Sequence, residues 1–213
     1  MPSTPVALLF ITPGCPHCPG VLQGLSDMVK QGTIGKLTVI NAASHPELAA
    51  EQGVRAAPWL RLGPFVLTGA QTPAQLQQWV AWASEEKGQL RYLEHLFKEG
   101  DLKAAEAFIA AQPQRLALLL DTIANPEEAI TVRLGANALL EGYAGRSELQ
   151  ALLPQLASLA QHQDHRIRAD ACHLLGLTAS AEARPMLQAC LKDESAEVRE
   201  IAADSLANLP VLQ

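Results

Sequence analysis

The chain has 213 residues, with 16 basic and 22 acidic side chains that give a formal net charge of −6. A hydrophobic content of 48% is enough for a buried core and excludes a disordered chain, while only 4% aromatic residues favours close-packed helices. No Lys/Arg cluster is long enough to follow a phosphate backbone, and no apolar run reaches the roughly 18 residues of a membrane span. We therefore expect neither a nucleic-acid partner nor a membrane.

The first element is an apolar, β-rich run at Val6–Ile11 that reads as a buried strand. It has no basic segment before it and no small-residue cleavage site after it, so we do not interpret it as a signal peptide. The four cysteines do not form the framework of a small disulfide-rich protein. These features predict a cytoplasmic protein, the alternative being that an export segment has been removed.

Strands and helices alternate through residues 1–87. The predicted elements are a strand at Val6–Ile11, a helix from Pro16 to about Gln31, a strand at Lys36–Asn41, a short helix at Pro46–Gln52, strands at Pro58–Leu62 and Pro64–Thr68, and a helix opening at Thr72-Pro73. The order β-α-β-α-β-β-α implies a parallel pair with a crossover, then a hairpin. Residues 1–87 contain equal numbers of basic and acidic side chains, so the whole net charge lies in residues 88–213.

Residues 88–213 contain no convincing strand and form a second predicted domain. We expect helices at about 88–99, 101–111, 114–124, 127–143, 147–161, 165–179, 181–192 and 195–208, joined by short turns. A bundle of helix pairs and a stacked repeat array both fit such a pattern. An internal repeat decides between them.

A repeat is present in this part. When Arg168 is aligned with Arg199, three further positions match: Ile167 with Val198, Ala171 with Ala202, and Leu175 with Leu206. An earlier copy begins at Val132-Arg133. The recurring Val/Ile-Arg, small residue and Leu resembles the first helix of short HEAT repeats, well over 125–213 and only by inference over 88–124. The resemblance implies stacked helix pairs in an all-α HEAT-like solenoid that binds a protein partner.

One motif carries redox chemistry. Cys15-Pro16-His17-Cys18 follows a buried strand and opens a helix. Unpaired N–H groups and the helix dipole at that position stabilise a thiolate, so we predict that Cys15 is the nucleophile and Cys18 the resolving thiol. Pro16 suits the first helical position, and His17 can add a hydrogen bond or a positive charge near the sulfur.

A zinc site is the competing interpretation of these cysteines. Structural zinc requires four ligands, and the sequence has no second Cys-x-x-Cys or His-x-x-x-His, while Cys172 and Cys190 have unsuitable spacing. We therefore expect no metal and no cofactor beyond a redox-active Cys15–Cys18 disulfide.

A second segment of the first domain is Gly53-Val54-Arg55-Ala56-Ala57-Pro58-Trp59-Leu60. Together with the dithiol motif, it resembles the thioredoxin superfamily, and the resemblance covers nearly all of residues 5–87. The resemblance implies an α/β thioredoxin-like fold with a cis peptide bond before Pro58, facing the dithiol. Ala57 would then offer its backbone to an extended substrate, and Trp59 would help line the groove. Without the family, Pro58 is only a proline at the start of a strand.

The chain departs from the thioredoxin pattern at two positions. Gly14 replaces the aromatic residue that often precedes the first cysteine, and Leu9 occupies the place of the buried acid of thioredoxins proper. This favours a relative nearer to glutaredoxin-like domains or to redox domains attached to larger proteins. The Pro-His spacer is shared with periplasmic disulfide oxidases and indicates a relatively oxidising dithiol.

Several other residues are weighed and mostly assigned to packing. Cys172 and Cys190 lie at apolar helix phases and are expected to be buried, with a second redox pair or a regulatory disulfide as the alternative. The turn with His162, Asp164 and His165 is expected to be solvated, with Asp164 capping the next helix, and a metal site is the alternative. Trp79 and Trp82 are expected to pack on the sheet.

Together these features predict a two-domain thiol-disulfide oxidoreductase that acts on protein thiol or disulfide substrates with an unknown reductant. The helical repeats would select or hold a protein partner. The alternative is a redox-sensing adaptor or assembly factor, in which the dithiol governs what the repeats bind.

Overall fold

The computed structural model describes residues 4–210. The ends of both expected domains, residues 1–3 and 211–213, lie outside the described residues. The chain divides into two compact units, Met1–Leu93 and Glu94–Gln213. The division falls inside the helix Gly88–Lys98, so residues 88–93 belong to the first unit, beyond the expected boundary at residue 87. No helix in the described part of the chain is long and apolar enough to cross a membrane.

The first unit contains a four-stranded sheet with three helices. Its strands are β1 (Val6–Ile11), β2 (Lys36–Asn41), β3 (Trp59–Leu62) and β4 (Phe65–Thr68), and its helices are α1 (Cys18–Lys30), α2 (Pro46–Glu51) and α3 (Pro73–Ser84), followed by the start of α4 (Gly88–Lys98). The sheet order is β2-β1-β3-β4, parallel between β1 and β2 and antiparallel elsewhere. The predicted order of elements, the crossover and the hairpin are all confirmed.

The central strand β1 lies between β2 and β3, which explains its apolar sequence. Leu9 and Phe10 are fully buried, and Phe10 meets Trp59 of β3 edge to face at 5.6 Å between ring centroids. Because both neighbours of β1 are strands and its middle is buried, the carboxyl end of β1 is a rigid base for the residues that follow it.

Helix α3 begins as the sequence predicts. The Thr72 hydroxyl accepts a hydrogen bond from the Gln75 N–H, the Gln75 side chain accepts one from the Thr72 N–H, and Pro73 is the first helical residue. Trp79 is buried and meets Phe65 edge to face at 6.3 Å between ring centroids, and Trp82 packs against Trp79 at 5.0 Å. The expected packing role of these tryptophans is confirmed for Trp79, while Trp82 packs mainly on Trp79.

The second unit is helical throughout its described residues. After α4 come α5 (Leu102–Ala110), a 3₁₀ turn (Pro113–Ala117), α6 (Leu118–Ile123), α7 (Ile130–Glu141), α8 (Ser147–Gln150), α9 (Leu153–Leu159), α10 (His165–Leu177), a second 3₁₀ turn (Ala181–Ala183), α11 (Arg184–Cys190) and α12 (Ala196–Asn208). The predicted segments 114–124, 147–161 and 181–192 are each divided in two. Pro154 and Pro185 sit in the first turns of α9 and α11, where the missing N–H and ring clash with the preceding turn prevent one continuous helix.

The repeat register is confirmed in the packing. The aliphatic residue and the small residue of each copy are fully buried in α7, α10 and α12, namely Val132, Ile167, Val198, Ala136, Ala171 and Ala202. Gly176 of α10 permits a close approach to α12, since a Cβ built there would lie 2.7 Å from the Ser205 Cβ. Leu206, in the last copy, is only half-buried.

The repeat arginines bind carbonyls and carboxylates of neighbouring turns. Arg168 Nη1 donates to the carbonyls of His162 and Gln163. The Nε and Nη2 atoms of the same guanidinium donate to the Asp193 carboxylate in the next repeat, at 2.8 and 2.9 Å. Arg199 Nη1 repeats the pattern with the carbonyls of Asp193 and Glu194. One arginine in each of these repeats thus fixes the turn before its helix.

Candidate active site

The site begins with a tight turn at the carboxyl end of β1. The Cys15 N–H donates to the Thr12 carbonyl at 3.3 Å, with Pro13 and Gly14 between them. Gly14 has φ +77°, which with proline before it is the pattern of a type II turn. This explains why glycine replaces an aromatic residue there, because a side chain is strained at that φ.

Cys15 and Cys18 form a disulfide, with their Cα atoms 5.5 Å apart. The Cys18 N–H donates to the Cys15 Sγ at 3.2 Å, so the backbone at the helix start already points a donor at this sulfur. Cys15 is half-buried, whereas Cys18 is only 4% exposed. The sulfur of Cys15 is therefore the one that another molecule can reach.

The predicted start of α1 is wrong by two residues. The helix begins at Cys18 with His17 as N-cap, and the first bond of the helix runs from the Val21 N–H to the His17 carbonyl. The four-residue disulfide loop uses Pro16 and His17 before regular helix can form, so Pro16 lies outside the helix. Pro19 takes the favourable first-turn place that the sequence analysis gave to Pro16.

His17 is exposed, and its side chain makes no capping hydrogen bond. Its backbone carbonyl, which accepts from Val21, is the part of the residue that contributes to the helix start. The predicted hydrogen bond from the imidazole to the cysteine sulfur is not present in this disulfide form.

The peptide bond between Ala57 and Pro58 is cis, as the family resemblance implied. Pro58 immediately precedes the Trp59–Phe10 pair of the β3–β1 ladder, so it lies beside the end of β1 from which the dithiol turn starts. Ala57 is half-buried, and within residues 4–210 no hydrogen bond engages its backbone N–H or C=O. That backbone is available to an extended chain.

The interpretation of Trp59 as a groove residue is corrected by its burial. The indole is 5% exposed and packs in a cluster with Phe10 and Ala49. Alternation along β3 turns this side chain into the sheet packing, so Trp59 supports the strand and offers almost no surface to a substrate.

A shallow groove of about 340 Å³ lies beside Thr12, where the dithiol turn begins, and the segment that leads to cis-Pro58. Its lining includes Thr12, Ala43, Pro46, Val54, Arg55 and Ala57. Sequence reasoning missed the contributions of Thr12, Ala43 and Arg55. The predicted fold could have indicated these residues, because the ends of β1 and β2 and the segment before β3 must meet at one edge of the sheet.

The remaining titratable clusters have structural partners. Asp164 caps α10 through the Arg166 N–H and binds the Arg166 side chain, which holds the pKa of this carboxyl well below its usual value. The His162 Nδ1 accepts the Asp164 N–H. The expected capping role is confirmed, and a search of the described residues finds no group of three or more His, Cys, Asp or Glu arranged for a metal.

The fold and the site define a thioredoxin-fold domain with a Cys-x-x-Cys disulfide, followed by stacked helical repeats. Comparison with protein families agrees: a Thioredoxin domain model matches residues 6–81, and a HEAT repeats model matches residues 116–207. The chain is thus a thioredoxin domain joined to HEAT repeats. A search of curated proteins finds no significant match.

Proposed function

We propose that the protein is a thiol-disulfide oxidoreductase whose redox group is the Cys15–Cys18 pair. The observation that carries the proposal is the disulfide at the start of α1, with the Cys18 N–H bonded to the half-buried Cys15 sulfur. The adjacent cis-Pro58 and the unengaged backbone of Ala57 support it. The proposal involves no metal and no separate cofactor.

In the reducing direction, the Cys15 thiolate attacks one sulfur of a substrate disulfide and forms a mixed disulfide, while the other substrate sulfur leaves as a thiolate. Cys18 loses its proton, attacks the Cys15 sulfur and displaces the second substrate thiolate. Two electrons pass to the substrate, and the pair becomes the disulfide seen here. The oxidising direction is the same sequence reversed, and an external thiol reductant completes a reducing cycle.

Substrate binding in this scheme uses backbone more than side chains. The carbonyl of an extended substrate segment accepts a hydrogen bond from the Ala57 N–H, and a substrate N–H donates one to the Ala57 carbonyl. This pairing sets the substrate sulfur against Cys15. The groove residues Val54 and Arg55 then contact the flanking side chains. Since Leu9 is apolar, the strand offers no carboxylate to accept the Cys18 proton, so that proton passes to water or to the leaving thiolate.

Protein binding is the proposed role of the HEAT repeats. The family match and the exposed Ile130 and Leu134 on α7 support it. We propose a cytoplasmic location because the chain has one disulfide and two free thiols rather than a disulfide framework.

The test is reduction of insulin by the full chain with dithiothreitol as reductant. Cys15→Ser is expected to abolish turnover, and Cys18→Ser is expected to accumulate a mixed disulfide whose attached protein can be identified. Cys172→Ala is the matched control that removes a thiol remote in sequence from the motif and keeps turnover. Wild-type turnover no faster than dithiothreitol alone would contradict the proposal.

The HEAT repeats match a longer segment of the chain than the thioredoxin domain does. This favours a second candidate function, in which protein binding by the repeats is the main activity. In a redox-sensing adaptor, the Cys15–Cys18 state changes which protein the repeats bind. Partner capture that depends on the state of the pair, without turnover on insulin, would support this function.

A further inference from the structure

Helices α10 and α11 are joined by two side-chain pairs that the proposed function does not use. Cys172 of α10 is fully buried and Cys190 of α11 is 7% exposed, and both are free thiols. Cys172 and Cys190 are side-chain hydrogen-bond partners. Two buried thiols on separate helices therefore lie close together.

The second pair holds these helices in place. Arg168, one turn before Cys172, binds Asp193, three residues after Cys190, through Nε–Oδ2 and Nη2–Oδ1 contacts of 2.8 and 2.9 Å. The two side chains are 8% and 11% exposed. A nearly buried bidentate pair has a specific geometry, so it ties α10 to the turn after α11 within about one helical turn of each thiol.

Cys190 can be reached from solvent. It lines an open groove of about 210 Å³, together with Ala157, Met186, Ala189 and Asp193. A water molecule occupies roughly 30 Å³ in the liquid, so this groove has room for a small hydroperoxide. Cys172 is fully buried and does not line the groove.

The hydrogen bond also differentiates the two sulfurs. The hydrogen bond with Cys190 and burial raise the pKa of the Cys172 thiol, while the hydrogen bond with Cys172 lowers the pKa of Cys190 against the opposing effects of burial and Asp193. The Arg168 charge favours the thiolate at both. Because Cys190 lines the groove and Cys172 is fully buried, we assign Cys190 as the nucleophile and Cys172 as the resolving thiol.

We propose that Cys172 and Cys190 form a second redox site, which hydrogen peroxide oxidises to a disulfide between α10 and α11. The Cys190 thiolate attacks one peroxide oxygen, the O–O bond breaks, and hydroxide leaves to become water, giving a sulfenic acid. The Cys172 sulfur attacks the sulfenic sulfur, the S–O bond breaks, and a second water carries away the Cys172 proton. Two thiols and one peroxide thus give one disulfide and two waters.

This site is independent of the proposed oxidoreductase function, so it is tested in the full chain carrying Cys15→Ser and Cys18→Ser. The reduced protein is exposed to hydrogen peroxide, denatured, alkylated and digested with trypsin. Trypsin does not cleave before proline, so Arg184-Pro185 stays intact and both cysteines remain on one peptide, residues 169–192. An internal disulfide therefore appears as one unalkylated peptide lighter by two hydrogens.

We expect that peptide to accumulate with peroxide and to disappear on reduction. Cys172→Ala should instead leave a Cys190 sulfenic acid that dimedone traps, and Cys190→Ala should leave Cys172 alkylatable; circular dichroism checks that each variant is folded. Accumulation of sulfinic acid at Cys190 with Cys172 still a thiol would overturn the proposal, as would two alkylated cysteines after peroxide treatment.

Discussion

At the scale of single residues, the geometry of the dithiol depends on a backbone conformation more than on side chains. Gly14 turns the chain with φ +77° and directs Cys15 toward the first N–H of α1. The side chains of Pro16 and His17 are exposed, and the His17 imidazole does not cap the helix.

Gly14→Ala tests the turn. An alanine at this φ is strained, so we expect a loss of about 1 kcal/mol in the free energy of unfolding and a slower reaction of Cys15. The matched control is Gly20→Ala inside α1, where no neighbour lies within 4 Å of the added Cβ and alanine favours helix. Urea denaturation of the two variants measures the difference, and equal stability would remove the argument for a required positive φ.

At the scale of elements, sequence patterns predicted the strands and the order of the first unit because alternation and turn residues are local signals. The predictions failed where a local signal was missed or where burial depends on residues distant in sequence. Pro154 and Pro185 were read inside continuous helices, although a proline interrupts the hydrogen bonding of the preceding turn. Trp59 was expected to help line the groove, and its burial was missed because it depends on Phe10, which is distant in sequence.

The Arg168–Asp193 pair between repeats is a second feature at this scale. Asp193→Asn keeps the shape of the side chain but leaves the nearly buried guanidinium without its bidentate carboxylate. We expect a loss of about 1–3 kcal/mol in the stability of the helical unit. Glu141→Gln, which removes the exposed contact with His173, is the control and should cost at most about 0.5 kcal/mol.

The same pair predicts a dependence on pH. The hydrogen bond from Arg168 lowers the pKa of Asp193 in the folded state, so its stabilisation is present above the ordinary carboxyl pKa and is lost as pH falls through the folded value. Asp170, whose pKa is raised by burial, acts in the opposite sense. The stability gap between wild type and Asp193→Asn should therefore shrink below about pH 4. A gap that stays constant down to pH 2 would contradict this assignment.

At the scale of the whole molecule, two kinds of sequence signal located the two units. A motif and a cis-proline segment identified the redox unit, and a repeat of Val/Ile-Arg identified the helical unit. The contact between Cys172 and Cys190 was not predictable in this way, because it depends on how α10 packs on α11. The unengaged backbone of Ala57 likewise follows from the neighbouring strands and not from its own sequence.

The four cysteines of the reduced full chain give the most direct test of the central claim, that Cys15 is the reactive nucleophile. Their alkylation by iodoacetamide at neutral pH can be followed for each residue by mass spectrometry, with glutathione as reference. The Cys18 N–H and the exposure of the sulfur predict that Cys15 reacts first and several-fold faster than glutathione. Alkylation of Cys15 at or below the rate of glutathione would contradict the account.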